Sequence, residues 1–273
     1  MDAVRGVMLA ALALSCVGCC FVCFVYVYFR DTRSFAYRLV VYMSLMDIGH
    51  AIGFFLPERP ESLCKAQAMI TSYFSLAAVL WTAALAFTLY DAVVRRKDVA
   101  SLELKLVIFA NGLPLLALIP PLVEGSYGQS GGWCWIQASG KDYYKSGTFW
   151  RLMTFYVPLW LVIAFNLFVY VSVIRYLRQQ VRLMLLPDAS STKLVRRLRL
   201  YPGILIVCYT FPTINRIYQI ITEGKTWAPL VLVSGFTMCI TGFLNAIVYG
   251  LTDTVRERLV GLWQQRSRRG SEA

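Results

Sequence analysis

The sequence predicts an all-α membrane protein: a seven-transmembrane helix bundle with its N-terminus outside and an amphipathic helix on the inner surface after the last span. Three observations carry this prediction. Hydrophobic residues make up 58% of the 273 and charged residues only 15%, whereas soluble domains run at roughly 45–50% apolar and about 25% charged. The apolar residues collect into seven runs, each near the length of about 20 residues that a helix needs to cross a hydrocarbon core. Lys and Arg gather on alternate connections, the asymmetry that orients membrane helices.

The first run, 7–29, opens as MDAVRGVMLAALALSCVGCC, with the basic residue and apolar stretch of a signal peptide. The apolar pattern continues through FVCFVYVYF to Arg30, beyond the roughly 7–15 residues of a signal core, so a first span is the better reading. Six more runs follow at 36–56, 65–94, 103–122, 150–176, 200–221 and 227–251, with short connections rich in Arg, Lys, Pro and Gly that leave no room for a soluble domain. Gly250 then ends the last span. In TDTVRERLVGLWQQR, Val255, Leu259, Leu262 and Trp263 recur at helical spacing opposite Arg256, Arg258 and Arg266. That pattern suits a helix lying on an anionic inner leaflet, with a disordered basic tail as the alternative. Residues 1–251 thus form the spanning domain, and 252–273 the surface helix and a short basic tail.

With the N-terminus outside, nineteen of the 27 Lys and Arg fall on inner segments. Seven fall outside (Arg5, Arg59, Lys65, Lys141, Lys145, Arg151 and Lys225), and Arg216 lies within the sixth run. The net charge of +12 is therefore a topology signal, not the footprint of a nucleic-acid partner. The inner loop RQQVRLMLLPDASSTKLVRRLRL, with Arg175 just before it, carries seven of those charges, including Arg196 and Arg197. It attracts anionic lipid or docks a cytoplasmic partner as well, and Ser190, Ser191 and Thr192 beside Pro187 are accessible for phosphorylation.

Six of the eight cysteines (Cys16, Cys19, Cys20, Cys23, Cys208 and Cys239) lie in spans and read as small packing residues. Cys64 and Cys134 fall in outer segments, where an oxidising medium lets them bridge. Such a cystine ties the second outer loop across the top of the third helix and holds Trp133, Trp135 and Ile136 over the bundle mouth as a partial lid.

Charged groups in spans are costly, so they should face the bundle interior. Asp47, midway along the second helix, reads either as interhelical glue or as a switch residue, with Asn166 and Asn245 as partners. His50 reads as a packed side chain. Arg216 lies just inside the outer end of the sixth helix, one turn after Pro212, whose missing N–H offers a hinge. Two readings compete: the side chain snorkels to the headgroups, or it holds an anion in an outward-facing pocket. Trp135, Lys145, Arg151 and Lys225 would complete that pocket.

Among competing classes, a retinal protein needs a Schiff-base lysine in the seventh helix, and 226–251 contains none. A single His excludes a two-His zinc site, and nothing points to an enzyme or a cofactor. A small-solute transporter stands as the alternative, although matching Gly/Pro-broken helices are missing from the two halves.

Seven spans with the N-terminus out, a third-helix cystine, a proline in the sixth helix and an amphipathic helix after the seventh resemble G-protein-coupled receptors. The stretches CKAQAMITSYFSLAAVLWTAALAFTLY, WCWI, FYVPLWLVIAFNLFVYVSVIR, LYPGILIV, FPTINRIY and GFLNAIVYGLTD are together similar to the cyclic-AMP-receptor-like (class E) receptors of slime moulds and their relatives. The resemblance implies a plasma-membrane receptor that binds an extracellular ligand, activates a heterotrimeric G protein and is desensitised by phosphorylation. LYDAVVRRK contains no Asp-Arg-Tyr, so Tyr90, Asp91, Arg95 and Arg96, with Arg196 and Arg197, are positional candidates for G-protein contact. With about six residues before the first helix, a small ligand between the helices is expected, an anion such as cyclic AMP among the options. The short tail offers Ser267 and Ser271 alone for phosphorylation. Asn245 and Tyr249 resemble an Asn-Pro-x-x-Tyr switch in which Ala246 replaces the proline, so this segment need not be kinked and switching relies on Asn245 meeting Asp47.

Overall fold

The structure, a computed structural model, describes residues 2–130, 133–137, 144–183, 200–222, 225–250, 252, 255–261 and 264. Among the described residues, seven helical segments are long and apolar enough to cross a membrane. Helix α1 (Asp2–Tyr28) passes through a 3-10 turn (Arg30–Thr32) to α2 (Phe35–Phe55), which starts where the Ser34 hydroxyl accepts from the Tyr37 N–H. Next come α3 (Glu61–Val93) and α4 (Glu103–Val123). The fifth span is α5 (Tyr144–Arg151), a π turn (Leu152–Tyr156) and α6 (Val157–Arg182). The sixth is α7 (Leu200–Ile221). The seventh is α8 (Ala228–Cys239), α9 (Thr241–Asn245) and a second π turn (Ala246–Gly250). Between α4 and α5, strands β1 (Tyr127–Gln129) and β2 (Cys134–Ile136) form an antiparallel hairpin that pairs Tyr127 with Ile136 and Gln129 with Cys134.

Helix α3 is the centre of the bundle: 67% of its most apolar window is buried, against 22% for α4. The difference is visible in the side chains. Leu104, Ile108, Leu116 and Val123 of α4 are exposed, a surface that only acyl chains would cover. Helices α2 and α3 pack closely in the core. A Cβ on Gly49 would stand 2.4 Å from the Phe74 ring and one on Gly53 2.8 Å from Thr71 Cγ2, so two small residues one turn apart let the backbones meet. At one end of the bundle Glu103 of α4 accepts from Arg38 (2.7 Å) and from the Tyr42 hydroxyl (2.8 Å), joining α4 to α2.

The third helix begins at Glu61 rather than at residue 65, which puts Cys64 in its first turn. The seventh span is not one uninterrupted helix. Beyond it the backbone is helical again at 255–261, with Val255 buried, Leu259 packed on the core, Arg256, Glu257 and Arg258 outward, and Arg258 paired with Asp31. Leu262 and Trp263, expected on the same apolar face, lie outside the described residues.

Candidate functional site

The end of the bundle opposite the Glu103 cluster is closed by the hairpin. Cys134 is bonded to Cys64, with Cα atoms 5.3 Å apart. Beside the cystine, the amide of Gln67 makes a second tie: Nε2 donates to the carbonyls of Phe54 and Leu56, and Oε1 accepts from the Cys134 N–H at 3.2 Å. Cys64 and Gln67 sit three residues apart on one face of α3, where one turn reaches both β2 and the end of α2. From the other side Arg151 donates Nε to the Ile136 carbonyl (2.7 Å) and Nη2 to Ser130 Oγ (2.5 Å). Tyr127 is buried under the hairpin, and burial pushes its phenol above the usual range.

Beneath this cap lies a narrow cavity of about 20 Å³. Trp133 and Trp135 roof it, Phe155 and Tyr156 wall it, and Asn215 and Arg216 of α7 reach it from below. The π turn explains the wall. Adjacent residues on an α-helix point about 100° apart, but widening one turn swings both Phe155 and Tyr156 inward. Both are buried, and they meet the edge or face of Trp135 at 5.8 and 6.2 Å. Pro158, which lacks an N–H, follows within one turn and leaves the helix free to widen there.

Arg216 does not reach outward to headgroups. It is 6% exposed, its guanidinium lies 5.0 Å from the Trp135 ring and 5.5 Å from the Trp133 ring, and Nη1 donates to Gln219 at 2.6 Å. Arg151, also buried, lies 5.5 Å from the same Trp135 ring. Among the described residues neither cation has a carboxylate within 4.0 Å. Arg216 lines the cavity and Arg151 does not: Arg151 is held in the cap by Ile136 and Ser130, so Arg216 is the buried cation whose cost an anion in the cavity would offset. Lys225 is exposed in the turn after α7, away from the cavity wall, and the side chain of Lys145 lies outside the described residues.

Below the cavity, Asn245 donates Nδ2 to Asp47 Oδ2 at 3.2 Å, both side chains being buried. Gly242 makes room for the carboxylate, since a Cβ there would stand 3.0 Å from Asp47 Cβ. Asn166 stays apart: its Nδ2 bonds the Val162 carbonyl of its own helix and its Oδ1 has no partner. Tyr249 falls in the second π turn, its side chain outside the described residues. One turn before Asn245 the seventh span breaks. In an unbroken helix the Phe243 N–H would bond the Cys239 carbonyl. Here the Ser15 hydroxyl of α1 stands between them, accepting from Phe243 N–H (3.1 Å) and donating to Cys239 O (2.6 Å). A side chain inserted into the ladder replaces the absent proline as the cause of the break.

The family model for the slime mold cyclic AMP receptor matches residues 1–261. The chain belongs to that family. G-protein coupled receptor 1 of Arabidopsis thaliana is 33% identical over 94% of this chain and 80% of its own length. G-protein coupled receptor 157 of Homo sapiens is 27% identical over 94% of this chain and 83% of its own. Cyclic AMP receptor-like protein A of Dictyostelium discoideum is 26% identical over 87% of this chain, which spans 61% of that relative. The protein is thus an integral, multi-pass membrane protein of a receptor family.

At the receptor's other end, α3 finishes in a small charged knot. Asp91 is buried and accepts from Arg95 Nη1 at 3.3 Å, and Arg95 lies 5.4 Å from the Tyr90 ring. Arg96 turns the chain in a left-handed conformation (φ 54°) and donates Nε to the Tyr176 hydroxyl at 3.2 Å, linking α3 to α6. Arg196 and Arg197 lie outside the described residues. Sequence reasoning missed Gln67, Asn215 and Ser15. Ser15 is a lone polar residue in an apolar run, while only a helical offset from Cys64 marked Gln67 and only adjacency to Arg216 marked Asn215.

Proposed function

We propose that this family member is a plasma-membrane receptor that binds a small anionic ligand, cyclic-AMP-like, in the capped cavity and activates a heterotrimeric G protein. The observation that carries the reading is the buried Arg216 guanidinium, set between Trp133 and Trp135 with no described carboxylate beside it. Arg151 adds charge from the cap, and Trp135 is the ring the two cations share. The matching family is named for an anionic ligand, whose entry would widen the narrow cavity.

In this reading the cystine end faces the outside and the N-terminus with it. Residues 1–251 are the receptor domain. The helix at 255–261 lies along the anionic inner leaflet, where a basic residue such as Arg256 adds about 1 kcal/mol. Tyr90, Asp91, Arg95 and Arg96 sit where a Gα subunit would dock. The reading calls for neither a cofactor nor catalysis.

Reconstitution with a Gα subunit tests it. Ligand-stimulated nucleotide exchange is expected, and Arg216→Ala should weaken binding of an anionic ligand at least about thirtyfold while surface expression persists. Unchanged affinity would leave Arg216 a packing residue. Solute flux into liposomes without exchange would select the transporter instead.

A further inference from the structure

We infer that Asn215 sets the ligand specificity of this cavity: its side-chain oxygen accepts from an N–H or O–H group of the ligand, so the bound molecule is an aromatic anion that also carries a hydrogen-bond donor. The inference rests on the anion reading above. Asn215 lines the cavity beside Arg216 and is 1% exposed, and among the described residues its Oδ1 has no hydrogen-bond partner. A buried acceptor left unmade is costly, and such a group in a cavity wall points to what occupies the cavity.

Among the described residues no wall group donates to it, although the ring N–H groups of His50, Trp133 and Trp135 also belong to residues of the lining. Each hydroxyl around the cavity already gives its one proton to a backbone carbonyl: Thr71 to Gln67, Ser75 to Ser72, Tyr156 to Pro212 and Ser234 to Leu230. Arg216 turns Nη1 to Gln219 instead of to its neighbour. The remaining surface is aromatic, with Trp133, Trp135, Phe155 and Tyr156 presenting faces and edges that suit a planar ring. A ligand that offered only negative charge would satisfy Arg216 and set a second acceptor against Asn215. One that carries a donor on its ring satisfies both.

Matched probes separate the two in full-length receptor held in lipid nanodiscs. The first pair is adenosine 3′,5′-cyclic monophosphate and purine riboside 3′,5′-cyclic monophosphate, which differ only in the amino group. The second is indole-3-acetate and 1-methylindole-3-acetate, which differ in the ring N–H. Within a pair that binds, the donor-bearing member is expected to bind about tenfold more tightly. Asn215→Leu should erase that preference without weakening the donor-free member, and Asn215→Asp, which keeps an acceptor, should preserve the ratio while lowering both affinities. The ligand-free Tm of Asn215→Leu should not fall, because no bond is lost. Equal affinities within a binding pair, equal loss of both members in Asn215→Leu, or a lowered ligand-free Tm would each overturn the role of Asn215 while leaving the anion site standing. If none of the four anions binds the wild type, the anion reading itself fails and takes this inference with it.

Discussion

Asp47 occupies a position where a carboxylate costs about 2.5–3.5 kcal/mol on insertion scales, and its surroundings show how the cost is met. Asn245 supplies an N–H at 3.2 Å, and Gly242, lacking a side chain, lets the carboxylate settle against the seventh span. Losing the amide leaves a buried acceptor without its donor, worth roughly 1–3 kcal/mol. Asn245→Leu is therefore expected to lower thermal stability and to reduce nucleotide exchange on Gα more than it reduces ligand affinity, because the pair lies below the cavity and does not line it. Radioligand binding and exchange measured side by side decide this: parallel losses would make the pair simple packing. Arg216 follows the same logic at the other polar depth, held between two indoles instead of by an acid.

Among elements, the seventh span is the one built to bend. Its break is held open by a hydroxyl from α1 that takes the place of one backbone bond. Ser15→Ala removes the bridge, after which the Phe243 N–H and the Cys239 carbonyl can meet directly. Hydrogen exchange of the receptor in detergent should then be no faster at Phe243 than in the wild type, one bond having replaced another; faster exchange there would show that the break persists without Ser15. The seven spans were legible because lipid imposes a length of apolar sequence that can be counted. This break was not, because the residue that makes it lies 228 positions away and GFLNAIVYG has no proline to announce it. The π turn before Pro158 was hidden for a related reason: the proline marks where a bond is missing but not how the helix widens around it.

For the whole molecule, charge and cysteine placement made the two ends distinguishable before any coordinates. Arg30, Arg33, Arg95, Arg96, Arg178 and Arg182 belong to the end opposite the cystine. On intact, unreduced cells a membrane-impermeant maleimide should label neither Cys64 nor Cys134, and mild reduction should expose both. Free labelling before reduction would remove the cystine, and labelling only after permeabilisation would invert the topology. Arg216 and Asp47 could be picked out from sequence because ionised groups are rare in hydrocarbon. Gln67 and Asn215 could not, since an uncharged amide is cheap enough to pass unnoticed until its partners, or lack of them, are seen. The double tie of the cap to α3 has a mechanical side. Cys64 stands in the first turn of that helix and Asp91 in its last, 27 residues along the same rod and so about 40 Å apart at 1.5 Å per residue. Cystine and amide both clamp the cap to its upper end, so the roof of the cavity and the Asp91–Arg95 knot are attached to the two ends of one helix.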